Sequence, residues 1–183
     1  MTAIVGIANK GVVYIGGDSA GVDPSNLAIN MRKDEKVFVR DKFVFGFTSS
    51  FRMGQVLSYS FKPPYHRKSL SIEQYMNTIF IDKVRECFGE CGVLKVVSDV
   101  ESFDGAFLVG YCGRLFKIGC DFQVEESIDD FNACGCGEDV CIGALWATQC
   151  LEPEERVNIA LSAAARYNAG VREPFTIKSV GVV

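Results

Sequence analysis

The sequence has little histidine: His66 is the only one among 183 residues. It lies far from the cysteines that cluster at Cys134, Cys136 and Cys141, and no two cysteines have the C-x-x-C spacing of most zinc sites. No histidine lies near Cys136 in sequence, which argues against a cysteine nucleophile activated by an imidazole. The motif Gly-Cys-Gly at 135–137 is also too short for a dinucleotide-binding loop. We therefore expect neither a metal ion nor a cofactor.

The chain also lacks an excess of basic residues, a long apolar run and a basic leader segment. Its 19 Lys and Arg against 23 Asp and Glu give a net charge of −4, which supplies no basic face for nucleic acid or for an anionic membrane. A membrane-spanning helix needs about 20 apolar residues, and no stretch approaches that length. The N-terminus has no signal peptide pattern. We expect a cytoplasmic protein without nucleic-acid or membrane partners.

Eight cysteines would suffice for a disulfide framework, but the chain is large and 48% apolar and therefore does not need one. We interpret most of them as reduced, buried, small apolar residues. A zinc site is the alternative, because Cys134, Cys136 and Cys141 are close in sequence and Cys87 and Cys91 are one helical turn apart.

The arrangement of apolar segments predicts one domain over residues 1–183, since no repeat, linker or low-complexity segment divides the chain. Residues 3–8 and 12–16 are apolar on both sides of Asn9-Lys10-Gly11, which is typical of a hairpin turn. Neither arm alternates polar with apolar residues. We therefore expect both faces of this hairpin to be covered.

The remaining segments fall into separate strand and helix blocks, with a polar loop at 21–34. Strands are predicted at 36–40, 43–47, 106–111, 114–118 and 175–180, and more weakly at 123–124 and 132–134; helices are predicted at 51–61, 72–87, 138–150 and 153–167. Segregated blocks favour antiparallel sheets covered by helix pairs over a parallel sheet. The expected fold is α+β, a four-layer αββα sandwich of two antiparallel sheets.

The opening run T-A-I-V-G-I-A-N-K-G-V-V-Y-I-G-G-D-S, residues 2–19, resembles the start of a mature proteasome β subunit or of the bacterial HslV peptidase. These proteins belong to the N-terminal nucleophile (Ntn) hydrolase family. The likeness continues in a lysine before V-F, in Q-V-L, in a G-x-G before a helix, and in the final helix and strand. The resemblance implies the αββα sandwich and a threonine-type endopeptidase.

The chemistry of such a site can be argued from the residues. A threonine hydroxyl needs a base, and an N-terminal threonine carries its own in the free α-amine, so Met1 has to be removed. The resemblance assigns the nucleophile to Thr2, the orienting carboxylate to Asp18 and the lysine to Lys36, with Lys33 as a nearby alternative. The lysine cation would lower the pKa of the amine, and the aspartate would hold that lysine in place.

Other positions are assigned only by the resemblance. The backbone N–H of Ser49 matches the donor to the developing oxyanion, where the family has glycine, and Phe47 and Phe51 match residues of the specificity pocket. Cys136 stands where proteasomes have a serine. An aspartate and a serine of the proteasome site match Asn168 and Val171, so we expect this part of the network to be missing, as the aspartate is in HslV.

The resemblance also implies partners. A protein or peptide would be the substrate, the chain would form a homo-oligomeric ring, and an unfolding ATPase would supply substrate to it. The alternative is a catalytically inactive subunit that keeps the fold for assembly, which the departures at Ser49, Cys136, Asn168 and Val171 and the presence of Met1 favour.

Overall fold

Two antiparallel sheets form the centre of the computed structural model, which describes residues 1–23 and 25–182. Strands β1 (Ala3–Asn9), β2 (Val12–Gly17), β12 (Phe131–Gly135) and β13 (Thr176–Gly181) form a sheet in the order β12-β1-β2-β13. Strands β5 (Val37–Arg40), β6 (Phe43–Phe47), β9 (Phe107–Tyr111), β10 (Arg114–Ile118) and β11 (Val124–Glu126) form the second sheet in the order β11-β10-β9-β6-β5. All pairings in both sheets are antiparallel.

The two sheets pack face to face through apolar side chains. Successive residues of a strand point to opposite faces, so Ile4 of β1 faces the second sheet while Ala3 and Val5 face a helix layer. Ile15 and Val44 join Ile4 in the layer between the sheets. Both faces of the opening hairpin are thus buried, which explains why its sequence does not alternate.

Helices cover the outer face of each sheet. Helices α4 (Glu138–Ala147) and α5 (Pro153–Tyr167) cover the four-stranded sheet. On the other side lie α1 (Phe51–Gln55), α2 (Ile72–Tyr75) and α3 (Ile81–Glu90), with π-helical segments at Val56–Ser60 and Met76–Phe80 that continue α1 and join α2 to α3. The predicted α+β fold, a four-layer αββα sandwich, is confirmed.

Two short hairpins were not predicted from the sequence. Strands β3 (Ala20–Val22) and β4 (Ile29–Met31) pair within the predicted polar loop, and β7 (Lys95–Val97) pairs with β8 (Val100–Ser102). Residues of β4 and β7 are exposed along their whole length. Strands of three residues are too short to show hydrophobic periodicity, so a pattern-based prediction misses them.

The helix boundaries and the cysteines also differ in part from expectation. Helix α4 ends at Ala147 rather than at residue 150. All eight cysteines are free, but only Cys87, Cys134 and Cys141 are buried, so the expectation that most are buried is wrong. Across residues 1–23 and 25–182, no three His, Cys, Asp or Glu side chains are placed to hold a metal ion. In this same part of the chain, every helix is too short or too polar to cross a bilayer.

The close approach of the sheets generates a stability prediction at Gly46 of β6. A Cβ there would lie 2.6 Å from a methyl of Ile4 and 2.7 Å from a methyl of Ile15. We expect Gly46→Ala to lower the free energy of unfolding by about 1–3 kcal/mol, the usual cost of overpacking a core. The measurement is chemical denaturation of the purified protein.

Gly143→Ala is the matched control, because a Cβ at Gly143 in helix α4 meets no atom within 4 Å. That substitution should leave stability unchanged or raise it by up to about 1 kcal/mol through helix propensity. Equal effects of the two substitutions would contradict the close packing of the sheets at Gly46.

Candidate active site

The opening hairpin and the second sheet bring the three predicted residues Thr2, Asp18 and Lys36 together. Thr2 directly precedes β1 and Asp18 directly follows β2; because Ile4 pairs with Gly17, these two hairpin ends are neighbours. Lys36 directly precedes β5 of the other sheet. All three residues are at most 3% exposed.

Lys36 lies at the centre of this group. Its Nζ donates to Thr2 Oγ1 at 2.8 Å, to Asp18 Oδ1 at 2.7 Å and to the Ala20 carbonyl at 2.7 Å, so each of its three protons has an acceptor. Lys33, the alternative lysine, is exposed and lies in none of these contacts.

Backbone N–H groups fix the carboxylate of Asp18. Its Oδ1 accepts from Ala3 N at 3.1 Å, and its Oδ2 accepts from Ala20 N at 3.0 Å and from Arg172 N at 3.3 Å. Two oxygens with four donors leave the carboxylate a single orientation. It therefore points one oxygen at Lys36.

Burial controls the charge of Lys36. Desolvation lowers the pKa of its ammonium from the ordinary 10.5, and the charge of Asp18 and its hydrogen bond oppose that shift. A buried ammonium with three oxygen acceptors can stabilise negative charge on the oxygen of Thr2. The arrangement is therefore suited to activating that hydroxyl.

Met1 is attached to Thr2, so the nitrogen of Thr2 is a peptide nitrogen. It donates to Cys136 Sγ at 3.1 Å. The Thr2 hydroxyl donates to the Met1 carbonyl at 2.6 Å, and Met1 itself is 42% exposed. The hydroxyl proton thus faces the bond that joins Met1 to Thr2.

Asn168, at the C-terminal end of α5, contacts Cys136 twice. Its Nδ2 donates to the Cys136 carbonyl at 2.8 Å, and its Oδ1 lies 3.2 Å from Cys136 Sγ. The aspartate of the proteasome pattern is absent at this position, and the amide of Asn168 makes its own contacts with Cys136. Val171, in contrast, is fully buried among the apolar residues under α5.

The loop after β6 carries the predicted oxyanion donor, Ser49. Ser49 adopts φ of +63°, in the left-handed region that favours glycine. Over residues 1–23 and 25–182, no hydrogen-bond acceptor takes the N–H of Ser49. The neighbouring Thr48 packs near Gly135, whose φ is +101°. A Cβ at Gly135 would lie 2.2 Å from the carbonyl oxygen of Thr2. Gly135 therefore lies between Thr48 of this loop and the Thr2 carbonyl, and within the described residues the N–H of Ser49 has no acceptor.

Phe47 and Phe51 form an edge-to-face pair with ring centroids 5.9 Å apart, but they line different clefts. Phe47 is 4% exposed and forms part of a cleft of about 410 Å³ that also includes Lys33 and Asp34. Phe51 lines a smaller depression of about 200 Å³, where the guanidinium of Arg32 stacks 3.8 Å from its ring centroid.

Comparison with known proteins gives similarity in structure alone. No family model and no curated protein sequence matches this chain. The solved structure of BPH from Thiobacillus denitrificans is similar with a TM-score of 0.80 and 18% identity, covering 100% of this chain and 99% of that one.

Two further structures show the same fold. HslV from Trypanosoma brucei matches with a TM-score of 0.68 and 15% identity, over 98% of this chain and 99% of its own. Anbu, an ancestral β-subunit from Yersinia bercovieri, matches with a TM-score of 0.66 and 14% identity, over 98% of this chain and 82% of its own. The resemblance to HslV and the proteasome-like proteins is thus confirmed as one of fold.

The buried ion pair predicts a stability effect that separates Lys36 from Lys33. Removing one partner of a buried pair leaves the other charge uncompensated, so Lys36→Met should lower the free energy of unfolding by about 3–5 kcal/mol. Lys33→Met, at an exposed position, should change it by less than about 0.5 kcal/mol. Denaturant unfolding of both variants measures the difference. Equal small effects would show that Asp18 does not need the charge of Lys36.

Proposed function

We propose that this chain, which has the fold of the proteasome-like Ntn hydrolases, is a threonine-type endopeptidase whose nucleophile is Thr2 once Met1 has been removed. The observation that carries the proposal is the contact of the buried Lys36 ammonium with the Thr2 hydroxyl, held by Asp18. A threonine at a strand start has no structural need for a buried cation on its oxygen. The cation does have a use when that oxygen becomes a nucleophile.

Removal of Met1 changes two bonds at Thr2. The hydroxyl loses its acceptor, the Met1 carbonyl, and the peptide nitrogen becomes an α-amine beside Cys136 Sγ. The positive charge of Lys36 disfavours a second positive charge on this amine and so lowers its pKa. A neutral amine next to the hydroxyl can then take the hydroxyl proton.

Acylation follows from these positions. The Thr2 amine accepts the proton of Oγ1 while Oγ1 attacks the carbonyl carbon of a peptide bond, and the oxyanion that forms accepts a hydrogen bond from the N–H of Ser49. The tetrahedral intermediate collapses as the C–N bond breaks. The Thr2 ammonium gives its proton to the departing amine, which leaves an ester on Thr2.

Deacylation uses the same groups with water as the nucleophile. The neutral Thr2 amine takes a proton from a water molecule as the water oxygen attacks the ester carbon. The N–H of Ser49 again donates a hydrogen bond to the oxyanion. The C–O bond to Oγ1 breaks, Oγ1 regains a proton, and the peptide acid leaves. Lys36 stabilises negative charge on Oγ1 in both halves of the reaction.

Positioning of the substrate and of the amine involves further residues. We assign Cys136, through its sulfur 3.1 Å from the Thr2 nitrogen, to orienting the amine. Phe47 and Phe51 are assigned to substrate side chains, each through its own cleft. Arg32 stacks on Phe51 in the second cleft, but its charge is paired with Asp34. Asp23 also lines this cleft, so we assign the cleft to an apolar substrate residue.

An isolated site of this kind would cleave any exposed chain, so the proposal includes enclosure in a homo-oligomeric ring in the cytoplasm, supplied by an unfolding ATPase. Exposed apolar residues on the two short hairpins offer contact surfaces for neighbouring copies. They are Leu27, Ile29 and Met31 near β3–β4, and Val96, Val97 and Val100 on β7–β8.

The second candidate function is an inactive subunit that keeps the sandwich for assembly. The observation that favours it is the ordered contact of the Thr2 hydroxyl with the Met1 carbonyl, at 2.6 Å. If Met1 stays attached, the nitrogen of Thr2 is acylated and has no base function.

The two functions predict different N-termini and different reactivity. For the peptidase, intact-mass analysis should show the loss of one methionine, and epoxomicin should label Thr2 at one molecule per chain. Epoxomicin is the natural choice because BPH of T. denitrificans has been solved in complex with it. Thr2→Ala should abolish labelling and lower kcat on fluorogenic peptides by at least about a thousandfold, as loss of a nucleophile does.

Thr2→Ser is the matched variant, since it keeps a hydroxyl and a small residue after Met1. It should retain labelling and a measurable part of the activity. A purified protein that keeps Met1 completely and binds no epoxomicin would overturn the peptidase proposal and leave the assembly role.

The pH profile tests the role of Lys36. The value of kcat/KM should rise with pH as the Thr2 amine loses its proton, with a pKa below the reference of about 7.7–8.0. It should fall again as Lys36 becomes neutral, and because burial lowers that pKa, the fall should lie below pH 10.5. Residual activity of Lys36→Arg should lack the alkaline fall. A wild-type profile that rises without a fall up to pH 10.5 would contradict the charged role of Lys36.

A further inference from the structure

The C-terminal end of helix α5 is closed by the side chain of Arg172. Its Nη1 donates to the carbonyls of Val171 at 2.6 Å and Asn168 at 3.1 Å, and lies 3.5 Å from the carbonyl of Ala165. The last carbonyls of a helix lack intrahelical donors and form the negative end of its dipole. Nη1 therefore reaches two carbonyls at the end of α5, those of Ala165 and of the cap residue Asn168, and one carbonyl of the segment that follows, that of Val171. Its positive charge complements the negative end of the helix.

The main chain of the same residue is bonded to the loop of the proposed orienting carboxylate. The N–H of Arg172 donates to Asp18 Oδ2 at 3.3 Å, and the carbonyl of Arg172 accepts from Ser19 N at 3.1 Å. A displacement of this main chain would remove one of the four donors that orient Asp18. The position of Lys36 depends on Asp18 in turn.

Residues 168–172 also contact Cys136, the residue that bonds to the Thr2 nitrogen. Asn168 starts the segment and holds Cys136 through both its amide nitrogen and its amide oxygen. The same Oδ1 accepts from Gly170 N at 3.0 Å, which tightens the segment further. Residues 168–172 thus contact Asp18 on one side of Thr2 and Cys136 on the other.

We propose that Arg172 is a positioning residue whose half-buried guanidinium, at the end of α5, holds residues 168–172 against Asp18 and Cys136, the two residues that flank Thr2. Its effect on the reaction rests on the proposed peptidase function. Its effect on the position of Cys136 does not, since the contacts from Arg172 through Asn168 to Cys136 exist whether or not Thr2 reacts.

The chemistry of the side chain supports this role. Arginine stays charged at all accessible pH values and presents several N–H groups in a fixed plane, which allows one nitrogen to donate to more than one carbonyl. A small apolar replacement would leave the carbonyls at the helix end without these donors. Water would compete for them, and residues 168–172 would lose their fixed conformation.

Kinetics of Arg172→Ala test the proposal. We expect kcat to fall roughly 10- to 100-fold, the cost of misplacing catalytic groups by about 1 Å, with KM changed less than about twofold. Arg166→Ala is the matched control, because Arg166 is an exposed arginine in the last turn of the same helix. That variant should keep wild-type kcat.

Rescue separates positioning from a loss of folding. Ethylguanidine at millimolar concentration should restore part of kcat to Arg172→Ala with saturation, whereas ethylurea, which is neutral, should not. Arg172→Lys should have an intermediate kcat. If Arg172→Ala does not fold by circular dichroism, Arg172→Gln takes its place in the same assays. A folded variant with wild-type kcat would overturn the proposal, as would equal rescue by ethylurea.

A second readout does not need activity. The rate at which N-ethylmaleimide alkylates Cys136, followed by peptide mass spectrometry, should rise about fivefold or more in Arg172→Ala and stay unchanged in Arg166→Ala. If the wild-type protein is inactive and keeps Met1, the peptidase function is refuted. Faster alkylation of Cys136 in Arg172→Ala than in that wild-type protein would still support the positioning role. Unchanged alkylation together with unchanged kcat, in an active enzyme, would refute the positioning role alone.

Discussion

The ion pair between Lys36 and Asp18 is the interaction on which the arrangement around Thr2 depends. Both side chains are almost completely shielded from water, at 1% and 0% exposure. Two charges removed from water lose a large hydration energy, which their mutual attraction offsets only with good geometry and further hydrogen bonds. Here the lysine has three oxygen acceptors and the aspartate has three backbone donors besides the lysine. Such a pair fixes the positions of its two side chains more than it raises the free energy of unfolding.

The αββα sandwich supplies the rigidity that this position needs. Thr2 and Asp18 lie at two neighbouring ends of a hairpin whose faces are both buried, so neither end can move without disturbing a packed layer. Lys36 comes from the second sheet and Asn168 from the helix above the first. Three layers of the fold therefore meet at Thr2. A single hairpin with the same sequence could not hold this geometry.

The layers could be predicted from the sequence because apolar runs without alternation indicate buried strands. The three central residues, Thr2, Asp18 and Lys36, were indicated by the resemblance of the opening run and of the lysine before the apolar strand to a known family. Spacing alone could not separate Lys36 from Lys33; exposure separates them, since only Lys36 points inward beside the buried Val37. The short hairpins β3–β4 and β7–β8, with strands of only three residues, have no such signal.

The parts of the site that the sequence did not predict depend on contacts between distant residues. Asn168 meets Cys136 across 32 positions, and Arg172 meets Asp18 across 154 positions. Arg172 also binds backbone carbonyls. Because every residue has a backbone carbonyl, the sequence does not indicate which ones a side chain will bind. Comparison with the family pattern indicated only which side chains differ. It could not show that an amide and a thiol would bond to each other.

The amide at Asn168 bears on how an amine at Thr2 would be kept neutral. The Thr2 nitrogen donates to Cys136 Sγ and Cys136 bonds to the amide of Asn168, so these contacts place no carboxylate beside the nitrogen. The pair of Asp18 and Lys36 has no net charge. A protonated amine would add a positive charge close to the Lys36 ammonium with no carboxylate of its own. A carboxylate at position 168 would favour that protonated form, whereas an amide does not. The substitution that counted against catalysis in the sequence is thus compatible with a base that must lose its proton before it can act.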